Sequence, residues 1–155
     1  MFRWVIIEKL VAAHRPRAAD TRLGVVPKVA VDAWIKIAKQ DFGARAIICL
    51  LSKRELRRYN QIPGGLLAYF ESNGFEVRHI RAKNYQKPSL SERKLRKAWK
   101  AYKILPKPVL VHCSAGISRT GAAARYIKRR ATRCQPLKTY ANPTRATSQS
   151  IAKSA

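Results

Sequence analysis

The sequence predicts an α/β fold, with a central parallel-rich sheet flanked by helices and an anion-binding loop between a central strand and a helix. Three observations lead there. The continuous apolar runs at residues 46–51 and 109–111 have the length of strands buried on both faces. Segments of helical period alternate with such runs along the chain, the pattern of crossover units in a parallel sheet. The second run passes directly into the loop His112-Cys113-Ser114-Ala115-Gly116-Ile117-Ser118-Arg119-Thr120-Gly121 and then into the helix-compatible residues 122–131. In an open α/β sheet, a loop at the carboxyl end of a central strand lies in the crevice where ligands bind.

Each element has a local reason. Residues 2–11 read as one or two short strands opening the domain, and residues 12–21 as a loop centred on Arg15-Pro16-Arg17. A helix is predicted over 27–40, with Pro27 near its first turn, and Asp41 and Gly43 past its end. In it Val31, Trp34, Ile35 and Ala38 recur at helical spacing and form a core face. Residues 52–61 are a polar, basic connection or short helix. A helix over 63–72 is stopped by Asn73-Gly74, and residues 75–81 alternate as a strand. Ser89-Leu90-Ser91-Glu92 has the spacing of a capping box, opening a helix that runs to about 104. Leu105-Pro106-Lys107-Pro108 then ends that helix and feeds the strand before the loop. From Gln135 the chain is polar and lacks apolar periodicity, so a folded domain is expected over 1–134 and a disordered basic tail over 135–155.

Composition narrows the chemistry. The 155 residues suit one sizeable core. Cys49, Cys113 and Cys134 form neither a C-x-x-C pair nor an even framework. That disfavours a disulfide scaffold or zinc site and points to a reducing, cytoplasmic setting. The apolar patch at Trp4–Ile7 is interrupted by Glu8 and Lys9, too soon for a signal peptide or a membrane span. The formal charge is +25, and no Asp or Glu follows Glu92. A field of that sign attracts RNA, anionic head groups or phosphorylated partners, and a solvated basic face without a dedicated partner is the bland alternative. No aromatic-rich RNA-reading motif accompanies it, so sequence-specific readout is not expected.

The loop carries the chemistry. Backbone N–H groups at a helix start converge on one spot, and the helix dipole favours negative charge there. The same field favours a thiolate at Cys113. Arg119 offers a fork for two phosphate oxygens. Gly116 is suited to the backbone conformation that turns N–H groups inward. A thiolate facing a bound phosphate is a nucleophile facing phosphorus.

This run resembles the His-Cys-x-x-Gly-x-x-Arg-Thr/Ser-Gly signature of the cysteine-dependent protein phosphatases, and all its fixed positions are matched. The opening Phe2-x-Trp4-Val5 and the element order over about 2–131 are similar to the small atypical dual-specificity branch. The resemblance implies a phosphatase-like fold and a metal- and cofactor-free mechanism on phosphate monoesters, of the protein phosphotyrosine, phosphoserine and phosphothreonine type. It implies Cys113 as the nucleophile forming a thiophosphate. Ser114, Ala115, Gly116, Ile117, Ser118 and Arg119 would bind phosphate, with Arg119 holding the equatorial oxygens. By the same resemblance, Thr120 hydrogen-bonds the sulfur, His112 orients the loop, and Gly121 lets the helix approach the strand. Relatives also use an Asp on the loop after the strand that residues 75–81 would form. Asn84 stands there and cannot donate a catalytic proton. General acid help is worth about 10²–10⁴-fold and matters most for poor leaving groups. The substitution therefore keeps two alternatives open: an RNA 5′-triphosphatase-like enzyme, although Ala115 stands where that branch carries a His, and a weak phosphate- or polyanion-binding pseudophosphatase. Cys49 reads as a buried structural residue rather than a trap for an oxidised nucleophile.

Overall fold

The computed structural model describes residues 1–16 and 24–133. The predicted tail and Cys134, like residues 17–21 of the predicted loop, lie outside the described residues. Five strands form one sheet in the order β1-β2-β5-β3-β4, where β1 is Phe2–Ile6, β2 Leu10–His14, β3 Ala46–Cys49, β4 Glu76–His79 and β5 Val109–Cys113. Only the β1–β2 hairpin is antiparallel; β5 pairs in parallel with β2 on one side and β3 on the other. This central position explains why all five residues of β5 are buried and why its sequence is an apolar run.

The pleat sorts the side chains into two cores. Val109, Val111 and Cys113 join Leu10, Ala12, Ala46 and Ile48 on one face. Leu110 joins Val11, Ala13, Ile47 and Cys49 on the other. Each fully buried Leu, Ile or Val here stabilises the fold by roughly 1.5–3 kcal/mol. The outer strand β4 carries the largely exposed Glu76, Arg78 and His79, and charged side chains of this kind discourage edge-to-edge pairing.

Helix α1 (Lys28–Gln40) buries Val31, Trp34, Ile35 and Ala38, the expected stripe. It packs on the second face beside α3 (Gly65–Ser72), to which it is tied by the Tyr69 hydroxyl donating to Asp32 Oδ1 at 2.6 Å. On the first face lie α4 (Glu92–Ile104) and α5 (Ser118–Arg133). Ala98 and Ala101 of α4 and Ala123 and Ala124 of α5 are buried, and small residues at those positions let the helices sit close to the sheet. Between β3 and α3 run the short helix α2 (Lys53–Leu56) and a 3₁₀ turn, Arg57–Tyr59.

Four expectations are corrected. Ala12, Ala13 and His14 are strand, not loop: pairing with Val111, His112 and Cys113 overrides the weak strand preference of alanine. Helix α3 spans Gly65–Ser72 rather than 63–72, because Gly64 and Gly65 both take positive φ (70° and 81°), outside the right-handed helical region, so a regular helix cannot run through them from residue 63. Helix α5 starts at Ser118, four residues before the helix-compatible stretch 122–131 that suggests it. Ser89 and Glu92 do not form a capping box. Ser91 is the N-cap without a side-chain bond, Ser89 Oγ donates to the Ser118 carbonyl at 3.3 Å, and Leu90 is buried in the core. The chain is thus pinned in a loop conformation up to Ser91, and Glu92 is free to bond Arg96 and Tyr126 instead.

Candidate active site around Cys113

Cys113 ends the central strand, 2% exposed. Ser114, Ala115, Gly116 and Ile117 turn the chain, and Ser118, Arg119 and Thr120 form the first turn of α5. The loop is tied down on one side where the Arg15 N–H donates to the Ser114 carbonyl at 3.2 Å, and its exit is closed where the Gly121 N–H donates to the Ile117 carbonyl at 2.8 Å. The first N–H groups of a helix have no partner within the helix, so this turn presents donors to the loop's interior.

Gly116 is required twice over. Its φ is +76°, and a Cβ there would lie 2.8 Å from the Ala13 carbonyl carbon and oxygen and from the His14 nitrogen. All three are backbone atoms of β2, which cannot rotate away. Gly121 corrects the expectation drawn for it. A Cβ there would meet only the Arg125 side chain, at 3.2 Å, so this glycine does not govern the approach of helix to strand.

Arg119 is almost fully buried, and its partners were not anticipated. Nη1 donates to Glu55 Oε2 at 2.8 Å and Nη2 to Glu55 Oε1 at 2.6 Å, a bidentate fork. Nη1 also meets the carbonyls of Leu50 and Ala82, each at 2.9 Å. These contacts fix the plane of the guanidinium. Nε has no hydrogen-bond partner, which leaves one buried, charged N–H donor unassigned. Such a donor at the rim of a loop of backbone N–H groups suits an anion oxygen.

Glu55 itself is held by α2. Ser52 is the N-cap, its Oγ accepts from the Glu55 N–H, and Oε2 of Glu55 accepts from both the Ser52 N–H and Oγ at 2.7 Å. Burial alone would raise this carboxyl. The bonds from Arg119 and Ser52 outweigh it and hold the acid down at about 2. The Ser52-x-x-Glu55 spacing is the sequence mark that could have found it. Arg15 was also missed as part of the site. It is buried beside the loop, with Nη1 3.5 Å from the Tyr59 hydroxyl and Nε unpartnered.

His112 points to the opposite face from Cys113, packed edge-on against Trp34 and Phe70. Burial pushes its imidazole down to about 3, so it is neutral at pH 7 and acts through shape. Thr120 Oγ1 is buried without a hydrogen-bond partner, so a bond to the Cys113 sulfur is not formed here. Cys49 pairs in register with His112 and lies on that same face, and burial pushes its thiol up to about 12, as for a packing residue. Asn84 lies exposed on the segment 80–91, which contains no carboxylate. The nearest acid in the chain, Glu92, is engaged by Arg96 at 3.1 Å and by Tyr126 at 3.2 Å. Among the described residues no cluster of His, Cys, Asp or Glu could hold a metal ion, and no helix is long and apolar enough to cross a membrane.

No protein-family model matches the chain, and no curated protein matches it in sequence. Among solved structures, it is similar to PTPMT1 in complex with PI(5)P, at 13% identity and a TM-score of 0.55. The match covers 83% of this chain and 81% of that one. The shared feature is the phosphatase-like fold: a mostly parallel five-stranded sheet flanked by helices.

Proposed function

We propose that this chain is a cysteine-dependent phosphatase acting on phosphate monoesters, of the dual-specificity type its loop resembles. The observation that carries this reading is the convergence at one strand end of Cys113, the Gly116 turn, the N-terminus of α5 and Arg119 with a free Nε donor. Fold similarity to PTPMT1, solved with a phosphoinositide, supports a phosphorylated ligand.

In this reading the phosphoryl group sits in the loop with its oxygens on backbone N–H groups and Arg119 Nε. The Cys113 sulfur attacks phosphorus in line with the leaving oxygen. An S–P bond forms, the P–O bond breaks, and the oxygen departs with its electron pair. Water then attacks the thiophosphate, breaking the S–P bond and releasing inorganic phosphate and the thiolate. Charge on the transferring group is met by donors already oriented, which needs no rearrangement at the moment of reaction. Glu55 is a positioning residue here, because it holds Arg119 and touches no substrate.

Asn84 supports a second, weaker reading. With no carboxylate on the 80–91 segment, the leaving oxygen takes its proton from water. Substrates with good leaving groups then turn over faster, and poor ones slower by up to about 10²–10⁴-fold. At the limit the chain binds phosphate and turns over negligibly. Phosphate release from an aryl phosphate, a phosphotyrosine peptide and a 5′-triphosphate RNA, by wild type and Cys113→Ser at matched salt, separates these cases. The expected result is release lost in Cys113→Ser, fastest for the aryl phosphate. Release confined to the RNA would favour the anhydride enzyme. No Cys113-dependent release from a folded sample would leave the binding module.

A further inference from the structure

A cluster of cations without ion-pair partners among the described residues lines a cleft at the edge of the sheet. A cleft of about 430 Å³ opens between the segment after β4 and the first turns of α4. Arg81, Lys83 and Gln86 line one wall, and Arg93, Lys94 and Lys97 line the other. The last three are spaced i, i+1 and i+4, which brings them to one side of the helix. None of these five cations is in an ion pair among the described residues, and no carboxylate lines the cleft. Glu92, at the start of the same helix, is turned to Arg96 and Tyr126. His79, also at the cleft, bonds the Leu51 carbonyl at 2.8 Å.

The segment that lines this cleft also holds Arg119. Arg81 and Lys83 flank Ala82, whose carbonyl accepts from Arg119 Nη1 at 2.9 Å. Their Cα atoms are therefore about 3.8 Å along the chain from a direct partner of the catalytic arginine. The far end of the segment is tied to α5 where Ser89 Oγ meets the Ser118 carbonyl. The segment that lines the cleft is thus bonded at Ala82 to Arg119 and at Ser89 to the first turn of α5.

The geometry points to a subsite for a second phosphoryl group, so that the preferred substrate is a small molecule carrying at least two phosphates. This rests on the reading of Cys113 and Arg119 as the phosphate-cleaving site. The volume falls within the ~300–1,000 Å³ of small-molecule sites. Single-stranded nucleic acid sites interleave basic groups with aromatic rings for base stacking, and no Phe, Tyr or Trp lines this cleft. The charge serves phosphate alone, whether the bisphosphate is free or is the head group of a lipid.

The test is calorimetry on the Cys113→Ser chain, which reads binding even if turnover is slow. The probes are inositol 1,4-bisphosphate, inositol 1-phosphate and a 5′-monophosphorylated RNA oligonucleotide. Phosphatidylcholine vesicles with and without a phosphoinositide bisphosphate separate the lipid source from the free one. The bisphosphate is expected to bind more tightly than the monophosphate. Adding Lys94→Ala and Lys97→Ala should reduce that preference roughly tenfold, the effect of two charge-assisted contacts. The control pair Arg3→Gln and Lys36→Gln removes the same net charge from exposed positions elsewhere and should leave the preference unchanged. Equal binding of the two inositol phosphates, an equal effect of both variant pairs, or stronger binding of the RNA than of the bisphosphate would overturn the subsite. Loss of Cys113-dependent turnover of an aryl phosphate would instead strike the underlying reading.

Discussion

Glu55→Ala should be among the most damaging single substitutions in this chain, although Glu55 belongs to no expected motif position. Removing it leaves the Arg119 guanidinium, 2% exposed, without its counter-ion. Breaking one partner out of a buried pair costs about 3–5 kcal/mol, and the bonds from the Ser52 N–H and Oγ to the carboxylate are lost with it, for about 1 kcal/mol more, while the Ser52 cap on the residue 55 N–H remains. For a chain of this size each kcal/mol lowers the melting temperature by about 2–4 °C, so a fall of about 10 °C or more is expected by calorimetry. Glu55→Gln separates charge from shape, since it can still cap α2 but cannot neutralise Arg119. The same carboxylate sets a pH window. Its acid lies at about 2 in the fold and near 4.5 when unfolded. Its contribution is fully present above about 4.5 and is lost as pH falls toward 2, amounting to about 3 kcal/mol. Denaturant titrations of wild type at pH 7 and pH 3 should show about 2 kcal/mol of that loss, and Glu55→Gln should show it reduced. Identical pH dependence in the two proteins would refute the pairing.

Gly116→Ala should abolish activity and lower stability together. The new Cβ meets three backbone atoms of β2 at 2.8 Å, and φ of +76° is itself unfavourable for alanine by about 1–2 kcal/mol. Relief requires moving either the central sheet or the loop. A loop displaced by about 1 Å misaligns sulfur and phosphorus, at a cost on the order of 10²-fold in rate. Gly43 provides the control. Its φ is +58° with open space around the missing Cβ, so Gly43→Ala carries only the backbone term and should leave turnover unaffected. If Gly116→Ala and Gly43→Ala proved equally mild, the close contact with β2 would not be what fixes the loop.

The contrast between what the sequence reveals and what it hides follows from the range of the interactions. Helix α1 is legible because Val31, Trp34, Ile35 and Ala38 carry its period locally, and β5 because a strand buried on both faces opens with the apolar run Val109-Leu110-Val111. The loop is legible because adjacent residues place Cys113, Gly116 and Arg119 together. Strand β2 beyond Val11 is not legible locally, because Ala12 and Ala13 are strand only by virtue of their distant partner, β5. Glu55 and Arg119 are 64 positions apart, and nothing local to either names the other. The capping motif shows the same limit from the other side. Ser52 to Glu55 and Ser89 to Glu92 have identical spacing, yet only the first forms a box, because the loop holding Ser89 is committed to the Ser118 carbonyl. Asn84 lies exposed on a segment, 80–91, whose sequence holds no carboxylate.

The central claim is that the Cys113 sulfur becomes bonded to phosphorus. The most direct measurement is quenching of the chain in detergent at alkaline pH during turnover of a ³²P-labelled aryl phosphate, followed by digestion and identification of the labelled peptide by mass spectrometry. Label on the peptide containing Cys113, absent from Cys113→Ser, stable in alkali and lost on incubation in mild acid, is the predicted result. Steady release of phosphate with no label on Cys113, or label that persists in Cys113→Ala, would contradict it.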